Sequence, residues 1–299
     1  MKLMKMNTFV ATIDVALADK MKADLENQGF SLTQPPYTLF SAQKKGVSCT
    51  LYTSGKLTVQ GKDKDDFIAF YLEPEILQTL SFSYPELGVD MNARIGVDEA
   101  GKGDYFGPLC IAGVYADEPM IKKLLEWGVK DSKKMGDKMI LTLAKKIRAE
   151  LPHSIVRLPP AKYNELYENF HNLNQLLAWG HATAIGELHE KTRCSNVIID
   201  QFASEHLVEN ALKRKNVTVD LKQRHRGEED VVVAAASILA RAAFVDGIDA
   251  LSREIGVTLP KGANHGVKET ARQLVQEKGK EILGKVAKLH FKTTQEILS

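Results

Sequence analysis

From Arg94 onward the chain alternates short apolar runs with long amphipathic ones, and this alternation restricts its possible folds more than any other feature. Extended runs fall at 94–99, 108–115, 153–158, 195–200 and 217–222, and helical periodicity at 117–126, 136–150, 172–192, 203–214, 230–253 and 267–284. Strands separated by helices of this length predict a sheet covered by helices, an α/β domain. The upstream pattern is different. Residues 7–13 read as a strand, 15–29 as an amphipathic helix closed by Gly29, and 37–42, 47–52 and 56–60 as three strands. Lys44-Lys45-Gly46 and Ser54-Gly55 between them have hairpin chemistry. A helix from 65 to 79 completes a small α+β unit. Periodicity lapses over 82–93, which predicts domains at 1–85 and 94–299 with a linker at 86–93. A chain of 299 residues is long enough for two domains.

Residues 94–109 carry the densest chemistry. The strand Ile95–Val97 runs into two adjacent carboxylates, Asp98 and Glu99, and then into Gly101-Lys102-Gly103. Carboxylates gathered at a strand end are the oxygen donors that hard divalent cations prefer. Two glycines around a lysine let backbone N–H groups and one positive charge approach a phosphate closely. Acid for metal beside glycine for phosphate points to phosphodiester chemistry. Successive strand residues face opposite ways, so Asp98 and Glu99 share a site only if the strand ends or twists there.

A second strand also ends in acid, Val197-Ile198-Ile199-Asp200, and functional groups of open α/β sheets gather beyond the carboxyl ends of strands. A third acidic cluster, Glu228-Glu229-Asp230, precedes a long alanine-rich apolar run that reads as a buried helix. Acids there either cap that helix and oppose its dipole or include one member that joins Asp98, Glu99 and Asp200. Four carboxylates can hold two divalent ions ~3.5–4 Å apart, the clamp for in-line attack on a phosphodiester.

Several classes are excluded. Gly101-Lys102-Gly103 is no Walker loop, His189-Glu190 lacks the second histidine of a zincin because Arg193 stands there, and no G-x-S-x-G elbow occurs. His153, His171, His265 and His290 read as packed or surface residues. Three scattered cysteines support neither a disulfide framework nor a zinc site. Net charge of +2 means that any nucleic-acid surface must be local; lysines bunch at Lys44, Lys45, Lys56, Lys62 and Lys64. No run reads as a membrane span and no apolar signal core follows Met1, so a cytoplasmic protein without membrane association is expected. No obligatory protein partner is evident.

The segment Val97-Asp98-Glu99-Ala100-Gly101-Lys102-Gly103-Asp104-Tyr105-Phe106-Gly107-Pro108-Leu109 resembles the first motif of the type 2 ribonucleases H, its Gly-Lys-Gly form pointing to their HIII branch. Lys130-Asp131-Ser132-Lys133-Lys134, Asn172-Leu173-Asn174 with Ala178-Trp179, Ile199-Asp200-Gln201-Phe202, Ala234–Arg241 and Lys288–Lys292 add ordered matches. The resemblance implies a ribonuclease H-like mixed sheet flanked by helices, with an N-terminal substrate-binding domain similar to half of the TATA-binding protein. It implies an endonuclease that cuts the RNA strand of RNA–DNA hybrids with two Mg²⁺ or Mn²⁺ ions, leaving 5′-phosphate and 3′-hydroxyl ends. Asp98, Glu99 and Asp200 would bind the metals, and Gly101, Lys102, Gly103, Tyr105, Ser132 and Lys133 the substrate. The fourth family acid lies ten residues before the serine of the Ala-Ala-Ser helix; here that position is Gly227. Glu228, its neighbour, is taken as the substitute, with Glu229 the alternative. Two rival readings are a hybrid-binding module without catalysis, supported by the Gly227 departure, and a metal-dependent DNA nuclease or Holliday-junction resolvase. The Gly-Lys-Gly loop speaks against the latter, since in the family it sits at the ribose 2′-hydroxyls.

Overall fold

A computed structural model describes residues 8–78, 89–129, 135–202 and 205–299, with Glu205 and Glu228 described by their backbone alone. The chain divides into two compact units, residues 1–89 and 90–299.

The first unit runs β1 (Phe9–Thr12), α1 (Ala18–Asn27), β2 (Ser31–Thr33), β3 (Thr38–Lys44), β4 (Val47–Tyr52), β5 (Lys56–Gln60) and α2 (Lys64–Phe67), the last continuing as a π-helix over Ile68–Leu77. Its antiparallel sheet has the order β1-β5-β4-β3-β2. Alternation is strict on β4, where Val47, Cys49 and Leu51 are buried while Ser48, Thr50 and Tyr52 are half-exposed. The inward residues pack with Met21, Leu25, Ile68 and Leu72 of the helical layer. Strand β2 was not expected: Leu32 is the one apolar residue in its three. The helix expected over 65–79 is a π-helix for most of its length and holds Pro74, which lacks the N–H that an α-helical ladder requires.

The second unit contains β6 (Arg94–Ala100), β7 (Leu109–Ala116), α3 (Glu118–Glu126), α4 (Asp137–Glu150), β8 (His153–Leu158), α5 (Pro160–Phe170), α6 (Leu173–Thr192), β9 (Asn196–Asp200), α7 (Glu205–Arg214), β10 (Asp220–Arg224), α8 (Val231–Ile255), α9 (His265–Lys278), α10 (Ile282–Val286) and α11 (Lys292–Leu298). The sheet order is β10-β9-β6-β7-β8. The β10–β9 and β9–β6 pairs are parallel, while β6–β7 and β7–β8 are antiparallel. α5 was not expected, and the single helix foreseen over 267–284 is two, α9 ending at Gly279 with φ +81°.

Two helices sandwich the central strands at glycine contacts. A Cβ on Gly96 of β6 would stand 2.5 Å from the Val233 nitrogen of α8, and one on Gly180 of α6 would stand 2.7 Å from Ile111 of β7. Helix α8 is long and apolar enough to span a membrane by composition, contrary to the sequence reading, but 89% of that stretch is buried inside the fold. It is a core helix. Its start is pinned to the amino end of β6: Arg94, 1% exposed, donates from Nε to Asp230 Oδ2 at 2.8 Å, while Asp230 Oδ1 accepts from the Val232 and Val233 amides.

Candidate active site

Strand β6 pairs with β9 only as far as Val97↔Ile199, yet stays paired with β7 through Ala100↔Cys110. Asp98 and Asp200 therefore follow the last parallel pair on neighbouring strands, where the sheet edge opens. Asp98 and Glu99 take opposite faces, as strand geometry requires. Asp98 bonds to Ser237 of α8, and Glu99 Oε2 lies 3.0 Å from His181 Nε2 of α6. Both carboxylates nevertheless border one cavity of about 540 Å³, together with Asp200, Ser237 and the Gly101–Gly103 turn.

Each acid has its own support. The Glu99 amide donates to Asp98 Oδ1 at 2.7 Å, and the Gly227 amide to Asp200 Oδ1 at 2.8 Å. Lys102 Nζ lies 3.5 Å from Glu99 Oε1. Burial raises the cost of charge on both neighbours. At Asp98, burial and then the adjacent Glu99 charge push the carboxyl up to about 7. At Glu99 burial acts the same way, but His181 and Lys102 outweigh it and hold the carboxyl below its usual range. The site thus concentrates more negative charge than its own cations relieve.

The two glycines of the turn differ. Gly101 has φ +87°, and a Cβ there would meet the Pro108 carbonyl oxygen at 2.3 Å, so the fold demands glycine. A Cβ on Gly103 would meet nothing within 4 Å. The turn is braced from behind. Asp104 Oδ1 accepts from the Gly262 amide at 2.6 Å, and buried Lys288 donates to the Asp104 and Gly107 carbonyls at 2.8 Å each. Burial lowers the Lys288 ammonium to about 8.

Of the residues singled out in the sequence, Asp98, Glu99, Asp200, Gly101, Lys102 and Gly103 line the same cavity. Tyr105 does not belong with them. It is fully buried, its hydroxyl 3.2 Å from Thr294 Oγ1 and its ring against Phe106 and Phe291, so it anchors the turn from within the core. Ser132 and Lys133 lie outside the described residues, as does the Glu228 side chain. The Glu228 backbone lies in the 3-10 turn Gly227–Glu229. A Cβ on Gly227 would stand 2.7 Å from Asp200 Cα, which explains why no acid occupies that position. Glu229 pairs with Arg226 at 3.5 Å, and Asp230 caps α8.

Sequence reasoning missed three residues. Arg241 and Lys261 border the cavity and share Asp137 as their partner, adding positive charge to one wall. His181 lies in α6 on a stripe with Leu177, Ala184, Ile185 and Leu188, and a histidine amid that apolar stripe was the available signal.

Among the described residues no three acidic, histidine or cysteine side chains already form a closed coordination cluster. The donor set nonetheless suits a hard divalent cation: carboxylates of three positions at one cavity, with their mutual repulsion expressed in Asp98.

A helix-covered mixed sheet with carboxylates at its carboxyl edge and a glycine-lysine turn beside them is the arrangement of a metal-assisted phosphodiesterase. Residues 95–294 match the ribonuclease HII family, and the chain belongs to that family. Residues 8–82 match a domain of unknown function, DUF3378. Full-length relatives named ribonuclease HIII include that of Protochlamydia amoebophila, 54% identical over 97% of this chain and 96% of the relative, and that of Chlamydia felis, 51% identical over 97% of each. The crystal structure of Bst-RNase HIII in complex with Mn²⁺ superposes with a TM-score of 0.68 at 30% identity, covering 98% of both chains.

Proposed function

We propose that this chain hydrolyses the RNA strand of RNA–DNA hybrids by a two-metal-ion mechanism, leaving 5′-phosphate and 3′-hydroxyl ends. The observation that carries the reading is the convergence of Asp98, Glu99 and Asp200 on one cavity beside a turn whose second glycine has open space in front of it. Asp98, Glu99 and Asp200 hold the metals, and Glu228, one residue beyond the Gly227–Asp200 contact, supplies the fourth carboxylate. Mg²⁺ or Mn²⁺ is the expected ion, in keeping with the Mn²⁺ complex of Bst-RNase HIII. When bound, such ions supply an acidified water and neutralise the leaving oxygen.

The protein's own groups do the positioning. Ser237 and the Glu99 amide orient Asp98, and the Gly227 amide orients Asp200. Gly103 lets a sugar–phosphate backbone come close to the main chain. Lys102, Arg241 and Lys261 give the cavity wall the positive charge that phosphates need. Ser132 and Lys133 are proposed as further substrate contacts by resemblance.

The first unit is proposed as a substrate-binding domain spanning 1–85, joined by 86–93 to the catalytic domain at 94–299. The sheet face away from its helices presents Ser41, Ser48, Thr50 and Thr58, short hydroxyl side chains suited to a sugar–phosphate surface.

The decisive test is digestion of an end-labelled RNA–DNA hybrid, double-stranded DNA and a duplex with a single ribonucleotide, each with Mg²⁺, Mn²⁺ or chelator. Cutting of the hybrid's RNA strand that chelator abolishes is expected. Cleavage of double-stranded DNA instead would support the resolvase reading, and tight binding without cleavage the binding-module reading.

A further inference from the structure

Glu99 is engaged on both oxygens by protein groups, and the partners are unlike each other. Lys102 on Oε1 is 37% exposed and belongs to the turn that faces the cavity. His181 on Oε2 is completely buried within α6. Its Nε2 is the nitrogen that meets the carboxylate, so Nε2 carries the proton and donates. The other ring nitrogen, Nδ1, is buried and has no hydrogen-bond partner. The ring is held by Phe202, 4.7 Å away between centroids, two residues beyond Asp200. Lys102 Nζ lies 5.5 Å over that same phenylalanine ring. Glu99, His181, Phe202 and Lys102 thus form a closed circuit linking β6, α6 and the exit of β9.

A histidine with an orphaned ring nitrogen is a poor choice for packing alone. Leucine or methionine would fill the space on an otherwise apolar stripe without stranding a polar atom. What the histidine supplies that they cannot is one N–H aimed at Glu99 Oε2.

We propose that His181 is a positioning residue that fixes the Glu99 carboxylate in one rotamer and reserves Oε1 for a divalent cation. Lys102 Nζ, 3.5 Å from that oxygen, is the group a cation there would displace toward the cavity mouth, beside the substrate phosphates. This inference rests on the metal site proposed above.

The test uses the full chain and Mn²⁺ alone, without substrate. Binding is measured by isothermal titration or by loss of free Mn²⁺ electron-paramagnetic-resonance signal, for wild type, His181→Leu, His181→Gln, Glu99→Gln and the double variant His181→Leu/Glu99→Gln. His181→Leu is expected to weaken Mn²⁺ binding about tenfold and to raise the Mn²⁺ concentration for half-maximal cleavage in parallel, with only a modest loss of thermal stability from the buried donor that Glu99 loses. His181→Gln, whose amide can reach the same carboxylate oxygen, is expected to recover most of the affinity. In the Glu99→Gln background, His181→Leu should cause no further loss. Wild-type Mn²⁺ affinity in folded His181→Leu overturns the proposal, and so does a folded His181→Gln that binds no better than Glu99→Gln. Should the leucine variant not fold, the glutamine variant and the measured stability still decide the matter: a fold that needs the ring itself, with Mn²⁺ affinity indifferent to the amide, makes His181 structural. Absence of Mn²⁺ binding by wild type, by contrast, removes the metal site and not His181's contact.

Discussion

At the scale of single residues, the two glycines of the Gly-Lys-Gly turn separate what the fold requires from what the substrate requires. Gly101→Ala puts a methyl on a backbone at φ +87° and into the Pro108 carbonyl, so a loss of about 2 kcal/mol or more in urea unfolding is expected. Gly103→Ala meets no protein atom and should unfold like wild type, while KM for hybrid rises several-fold because the backbone can no longer be approached. Equal kinetics for Gly103→Ala and wild type would remove the turn from the substrate interface. The fourth carboxylate is the companion test. Glu228→Gln should lower kcat by orders of magnitude with little change in Tm, and Glu229→Gln, whose partner is exposed Arg226, should leave kcat nearly intact. The reverse result would give the role to Glu229. Asp98, Glu99 and Asp200 were legible because acid at a buried strand end has few structural uses. Tyr105 was misplaced because a motif shows adjacency in sequence, not direction: just past the turn, the chain has already dived under it. His181 escaped notice because its partner is 82 residues away.

At the scale of elements, the sheet and its principal helices follow from periodicity, while their attachment follows from pairs far apart in sequence. Strands β6, β7 and β9 and helices α4, α6 and α8 fall where the apolar spacing put them, because long periodic runs leave little alternative. β2, α5 and the break between α9 and α10 were not legible. β2 is only three residues long, α5 starts at two consecutive prolines that read as loop, and the break between α9 and α10 is set by Gly279, whose positive φ only the fold reveals. The start of α8 is the clearest case. The sequence left open whether the acids before it cap the helix or join the other carboxylates; Arg94 and Asp230 fix the helix start at the amino end of β6, while Gly227, three residues earlier, lies against Asp200. Asp230→Ala strands a buried guanidinium and uncaps the helix together, so a loss of about 3–5 kcal/mol is expected in chemical denaturation. Asp230→Asn keeps an acceptor for the Val232 amide and should lose less. An Asp230→Ala protein of normal stability and no activity would instead assign Asp230 to the catalytic carboxylates.

At the scale of the whole molecule, the two units have separate cores, and that separation makes a division of labour testable. The first unit carries 9 lysines against 10 acidic residues over 1–89, so it has no net attraction for a polyanion. Its lysine cluster is further discounted by the structure. Lys64 pairs with Asp65, Lys62 lies 4.0 Å from Asp63, and Lys44 donates to the Gln28 carbonyl. The uncharged hydroxyl face of the sheet is the better candidate for contact, and hydrogen bonds from such a face release few counterions. Removal of residues 1–89 is therefore expected to raise KM for hybrid at least tenfold, to leave kcat within a few-fold of wild type, and to change the slope of log K against log salt by less than one. Circular dichroism of the truncated protein establishes that it is folded before kinetics are compared. A folded truncation with unchanged KM would deny the first unit a role in binding. A slope reduced by three or more would return that role to the lysines, since each duplex phosphate that a lysine neutralises adds about 0.9 to the slope.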